Sequence, residues 1–256
     1  MLTINQIRSF YPGFPNDVQT TIHLLKEYVE LLVLNHLSKT RFIDKLTFIG
    51  GTNLRLIKGI DRFSEDLDFD CKNLSKEEFL TMTDDVVRFL RNMGLPAVAK
   101  ESESGRLTAM RRTILFPEYL YSLGLASQAE RNRKFILKIE AQDQGVPYKR
   151  ENALISQDGF YFKVPVPPDP VMLSMKLSAI LSRGKGRDFY DAMFLMGQTS
   201  PDYDFLSRRF GISSHEALSE ALSARLADID LEKKARDFEY LIFDKDKAKM
   251  ILSWLF

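Results

Sequence analysis

Asp66-Leu67-Asp68-Phe69-Asp70 alternates a carboxylate with a large apolar side chain, and a period of two fits a half-buried β-strand. Asp66, Asp68 and Asp70 then leave one face, spaced about 7 Å apart by the strand rise. Leu67 and Phe69 enter the core. Aspartate is depleted in strands, so three in five positions is unusual. Like charges this close repel unless a cation stands between them or protons are retained. Upstream, Leu46-Thr47-Phe48-Ile49 reads as another short buried strand, ended by Gly50-Gly51. Two glycines let the backbone approach a bound group closely. Thr52 or Asn53 is placed to cap a helix that follows, where free N–H groups favour an anion. Hard carboxylate oxygens suit Mg²⁺, which takes one or two carboxylates together with substrate phosphates. The two strands together therefore propose a metal–triphosphate site. Taken alone, Asp-x-Asp more often marks a solvated sheet face.

The rest of the 256-residue chain is long enough to bury a substantial core. Asn16 or Asp17 caps a helix to about Lys39, with Ile22, Leu25, Val29, Leu32, Val33 and Leu37 on one face. Residues 1–15 before it are a short lead, broken by Pro12, Gly13 and Pro15. Ser75 and Glu78 form a capping box for the next helix, which Gly94 and Pro96 stop. Residues 97–117 read as strands joined by a turn at Ser102 to Gly105. Lys134–Glu140 reads as a strand with Phe135, Leu137 and Ile139 on one face and Ile136, Lys138 and Glu140 on the other. The glycines and prolines of 145–168 read as loop and edge strand, with a domain boundary there. The remainder is helical. Asp169-Pro170 opens a largely apolar helix in which Lys176 needs an anion or a path to water.

Net charge is +1, which gives no global field to attract nucleic acid. The balance is uneven locally: residues 60–85 are acidic, and residues 106–138 are basic through Arg106, Arg111, Arg112, Arg131, Arg133, Lys134 and Lys138. Cys71 is the only cysteine, which excludes an intrachain disulfide and fits a reducing cytoplasm. No run reaches transmembrane length, and the N-terminus lacks a basic-then-apolar signal pattern.

Phe48-Ile49-Gly50-Gly51-Thr52-Asn53-Leu54-Arg55, followed by Arg62-Phe63-Ser64-Glu65-Asp66-Leu67-Asp68-Phe69, resembles the signature of the AbiEii/AbiGii toxin-like nucleotidyltransferases. That family lies within the DNA polymerase β-like nucleotidyltransferase superfamily. Lys176, with Arg183-Gly184-Lys185-Gly186-Arg187-Asp188-Phe189-Tyr190-Asp191 after it, resembles the same family's lysine helix and Arg-Asp-x-Tyr-Asp segment. The resemblance implies an α+β fold: a mixed-sheet nucleotidyltransferase core over 1–165, and a C-terminal helical bundle over 166–256 that completes the nucleotide site. It implies an NTP held by Gly50, Gly51, Thr52, Asn53 and Ser64, and Mg²⁺ or Mn²⁺ at Asp66 and Asp68. A second ion, about 3.5–4 Å away, is shared with Glu140, which acts on the attacking hydroxyl. Lys176, Arg62 or Arg187 offsets phosphate charge, and Asp188 and Asp191 serve catalysis or nucleotide placement. The acceptor implied is RNA such as tRNA, and the partner a cognate antitoxin in the cytoplasm, with no membrane. The plain structural reading makes Asp188 a cap, pairs Asp191 with Arg187, lets Lys176 reach water, and gives Arg62 to Asp66 or Asp68. The rival function is an NTP-binding regulatory module without turnover.

Overall fold

The computed structural model describes residues 2–101 and 109–254. The expected turn at Ser102 to Gly105, and Arg106 of the basic stretch, lie outside them.

The apolar residues of β1 (Leu46–Ile49), β2 (Asp66–Cys71), β3 (Val98–Glu101), β4 (Met110–Leu115) and β5 (Ile136–Gln142) build one five-stranded sheet in the order β1-β2-β5-β4-β3. β2 pairs antiparallel with β1 and parallel with β5, and β4 pairs antiparallel with both β5 and β3. A parallel pair needs a long crossover. Here the chain between β2 and β5 carries α4 (Lys76–Asn92), β3, β4 and the short α5 (Tyr119–Ser122). The alternation read from the sequence holds in β2 and β5: Leu67, Phe69, Leu137 and Ile139 are buried, while Asp66, Asp68, Lys138 and Glu140 are half-buried. The fold is α+β, with a mixed sheet and C-terminal helices.

By its internal contacts the chain forms two compact units, one of Met1–Thr52, Ser64–Gln144 and Asn152–Pro165, the other of Asn53–Phe63, Gly145–Glu151 and Val166–Phe256.

In the first unit the lead contains a short helix before its prolines. Thr3 and Gln6 form a capping box that starts α1 (Ile4–Ser9). The helix α2 (Val18–Leu37), capped by Asp17, was expected to bury one face. It is instead enclosed on several sides. Tyr11 Oη donates to Glu27 Oε1 at 2.8 Å, the Tyr28 ring lies 5.6 Å from that of Phe160, and His36 stacks on Phe89 of α4 at 4.2 Å. Lys26, Glu27 and Glu30 are buried with the apolar positions, Glu30 to 1% exposure.

Burial pushes the Glu30 carboxyl well above its ordinary range. Lys26 opposes the shift, and Glu27, Asp66 and Glu65 add to it. Its Oε1 accepts no hydrogen bond among the described residues. The folded pKa is raised, so the stability tied to this group is fully present below the unfolded value of about 4.3. It is lost as pH rises towards the folded value, because the unfolded chain ionises freely and the folded one does not. Glu30→Gln is therefore expected to gain on the order of 1 kcal/mol over wild type at pH 8 relative to pH 4. Urea unfolding at both pH values measures it, and an equal wild-type–variant difference at the two would count against the assignment.

Residues expected as loop and edge strand form a hairpin of β6 (Glu151–Gln157) and β7 (Phe160–Val166). Asp158 and Gly159 turn it with φ of 53° and 82°, the positive pair that an Asp-Gly hairpin loop requires.

In the second unit α6 (Asp169–Ser182) begins with Asp169 and Pro170 inside its first turn. It packs against α7 (Gly186–Met196) and α8 (Tyr203–Phe210), with Val146, Val171 and Phe205 in one apolar cluster. A Cβ on Gly186 would overlap the carbonyl oxygen of Lys234. The α7 start thus requires glycine for its close approach to α10 (Leu231–Arg236), which follows α9 (His215–Leu226). Residues 241–243 lie along residues 61–63: Phe63 N donates to Leu241 O at 2.7 Å and Phe243 N to Asp61 O at 3.3 Å. No helix among the described residues is long and apolar enough to cross a membrane.

Candidate active site

At the end of β1 the chain turns at Gly50 with φ of 82°, a conformation that L side chains avoid. A Cβ there would overlap Asp68 Oδ2 and lie 2.7 Å from Asp68 Cβ. Gly50 therefore lets the backbone corner press against the aspartate opposite, in keeping with the pairing of Ile49 with Asp68. The helical turn starts at Gly50 itself, so Thr52 lies within it and does not cap it. The Thr52 hydroxyl donates to Asp66 O at 2.6 Å, tying the corner to the first residue of β2. Gly51, Thr52 and Asn53 are buried, and Ser64 is half-buried.

Across the parallel pair Asp66 stands beside Lys138, and Asp68 beside Glu140. The antiparallel pair adds Arg111 beside Glu140. Arg111 Nε lies 2.8 Å from Glu140 Oε1, and its Nη2 donates to Oε2 at 3.0 Å. The hydrogen bond to Glu140 holds the Arg111 guanidinium above its ordinary range. Burial opposes the shift, and the charges of Glu140, Asp66 and Asp68 assist it. Lys138 Nζ lies 3.4 Å from Asp66 Oδ1, a buried atom that accepts no hydrogen bond among the described residues. Asp70 differs from its neighbours: it is 1% exposed and accepts from Gln144 N at 2.9 Å, which fixes the loop after β5.

Among the described residues no group of three His, Cys, Asp or Glu is placed to hold a metal ion by itself. The donors present fit a different kind of site. Asp66 offers a buried oxygen without a hydrogen bond, and the glycine corner leaves backbone beside Asp68. Two carboxylates completed by substrate phosphates are how Mg²⁺ is commonly held.

The remaining residues singled out in the sequence cluster in the second unit. Arg62, 1% exposed, donates from Nε and Nη2 to both oxygens of Asp191, each at 2.7 Å, and from Nη1 to Phe63 O at 2.8 Å. Lys176 Nζ lies 2.8 Å from Asp191 Oδ2. Burial alone would raise the Asp191 carboxyl, but Arg62 and then Lys176 overcome it and hold the group below the usual carboxylate range. Arg62 thus pairs with neither Asp66 nor Asp68, and Asp191 does not rely on Arg187, which is half-exposed. Asp188 accepts from Arg183 Nε at 2.8 Å and Nη2 at 2.7 Å, and from Lys185 N at 3.1 Å, so it caps α7 and is fully engaged. Sequence reasoning did not assign Arg111 a place beside Glu140, nor Lys138 one beside Asp66. The signal was the shared parity of Arg111 and Thr113 on one strand and of Lys138 and Glu140 on the next, which becomes useful only with the register.

The family model described as "Nucleotidyl transferase AbiEii toxin, Type IV TA system" matches residues 32–251. Among solved structures, MenT4, a nucleotidyltransferase toxin from Mycobacterium tuberculosis H37Rv, is 17% identical, with 99% of this chain and 98% of that chain covered and a TM-score of 0.56. JHP933 from Helicobacter pylori is 18% identical, with 90% and 88% covered and a TM-score of 0.48. Among curated proteins none matches. At these identities the likeness to MenT4 is one of fold. Fold and sequence together define a nucleotidyltransferase. The chain belongs to the AbiEii family of nucleotidyltransferase toxins of type IV toxin–antitoxin systems.

Proposed function

We propose that this protein transfers a nucleoside monophosphate from an NTP to an acceptor hydroxyl, with Mg²⁺ or Mn²⁺ held by Asp66 and Asp68. The observation that carries the reading is the Gly50 corner against Asp68, with Glu140 alongside Asp68 on the next strand. When bound, the ion neutralises phosphate oxygens and stabilises charge developing in the transition state. Gly50 and Gly51 present backbone to the phosphates. Glu140 takes the proton of the acceptor hydroxyl, whose oxygen bonds to the α-phosphorus as the bond to the bridging oxygen breaks and pyrophosphate leaves.

The acceptor in this reading is RNA such as tRNA, and the partner a cognate antitoxin. Support comes from the family, and less from the basic stretch than its composition suggested. Arg112 is buried and pairs with Asp84 at 2.5 Å, and Arg131 pairs with Glu118 at 2.8 Å. The test is transfer of label from α-³²P-NTPs to total tRNA. Asp66→Asn/Asp68→Asn is expected to lose on the order of 10²–10³-fold in rate, the scale for removing one preorganised electrostatic group. Wild-type transfer by that variant would refute the proposal.

A further inference from the structure

Three strands carry charges of both signs on one face. Arg111, Glu140 and Asp68 form one row across the sheet, and Lys138 and Asp66 sit in the next. Two cations therefore meet three carboxylates, and neither cation is buried. The side chains of Arg111 and Lys138 are 34% and 35% exposed, against 1% for Arg62. A permanent ammonium–carboxylate pair closes to about 2.7–2.9 Å, as Lys176 does on Asp191. Lys138 stops at 3.4 Å from Asp66 and leaves that oxygen without a hydrogen bond among the described residues. Exposed pairs of long side chains are weak enough to exchange. Arg111 also blocks both oxygens of Glu140, the group that has to receive a proton in the proposed reaction.

We propose that Arg111 and Lys138 are exchangeable counter-ions, which occupy the oxygens of Glu140 and Asp66 in the unloaded protein and turn to phosphate when a divalent cation arrives with its nucleotide. The proposal rests on the reading of Asp66 and Asp68 as metal ligands. Its consequence is selectivity for the metal–nucleotide pair over the free ion. A bare cation competes with two resident charges, whereas a metal–triphosphate provides somewhere for them to go. Phosphate then frees Glu140 by drawing Arg111 away.

Mn²⁺ binding to the full chain without nucleotide, followed by electron paramagnetic resonance, tests this directly. Lys138→Gln and Arg111→Gln are each expected to bind Mn²⁺ roughly three- to tenfold tighter, because one repelling charge is gone. In saturating Mn²⁺ they are expected to bind each of the four ribonucleoside triphosphates weaker by a similar factor. Lys138→Arg, which keeps the charge, is expected to restore wild-type Mn²⁺ affinity. Lys138→Met, which keeps the aliphatic stem, replaces the glutamine variant if that one melts early. Unchanged or weaker Mn²⁺ binding in the charge-removing variants overturns the proposal. Asp66→Asn/Asp68→Asn separates this result from the reading beneath it: wild-type Mn²⁺ binding there sinks the ligand assignment, and lost binding upholds it whatever the cation variants do.

Discussion

Asp191→Ala is expected to lower the free energy of unfolding by about 3–5 kcal/mol, the scale for breaking a buried ion pair from one side. The substitution leaves Arg62 with no anion for its two parallel hydrogen bonds and Lys176 without its contact, and both cations are buried. At about 2–4 °C per kcal/mol for a chain of this size, the melting transition falls by about 6–20 °C. Lys176→Met is expected to do less, because the Arg62–Asp191 pair survives. Acid gives an independent readout. The folded Asp191 pKa is depressed, so its contribution is fully present above the unfolded value of about 3.9 and is lost as pH falls through the folded value. Asp191→Asn therefore flattens the acid limb of a stability–pH curve. Calorimetry decides the matter: an Asp191→Ala protein that melts within a degree of wild type would leave the cluster without a structural role.

Gly50→Ala is expected to abolish most transfer activity, by about 10²-fold or more if Asp68 is pushed from its place. Two effects combine. A left-handed alanine is strained by about 1–2 kcal/mol, and the new methyl group collides with the Asp68 carboxylate and its Cβ. Gly59→Ala separates them. Gly59 also has positive φ, 72°, but a Cβ there meets nothing within 4 Å. That variant should carry the backbone strain and keep its activity. Equal loss of label transfer in both variants would assign the effect to strain and remove the special place of the corner.

The sheet was legible where its alternation was strict. Asp66 to Asp70 and Phe135 to Glu140 disclosed both strand and face, because a period of two has one structural meaning. Hidden features fell into three kinds. Alpha-helix α2 carries Lys26, Glu27 and Glu30 at positions that composition assigns to solvent, and only its neighbours reveal the enclosure. The Asp158-Gly159 hairpin had a local signal, outweighed by the prolines around it. The Arg62–Asp191 pair spans 129 residues, and no local pattern encodes a partner at that distance. The family motif drew attention to Arg62, Lys176 and Asp191, but it said nothing about their holding one another. Register, similarly, was needed before Arg111 and Lys138 could be set against the carboxylates.

The long reach of Arg62 bears on how the polypeptide is born. A ribosome releases residues 53–63 well before it has made Lys176 and Asp191, so the segment emerges with its guanidinium still hydrated. Nothing made earlier in the second unit supplies the anion, so the pair can close only after Asp191 has been made. Any product terminated before Asp191 would carry that unmatched arginine in an open segment, an invitation to proteolysis. Fragments that stop short of Asp191 would then be cleared faster than chains that contain it.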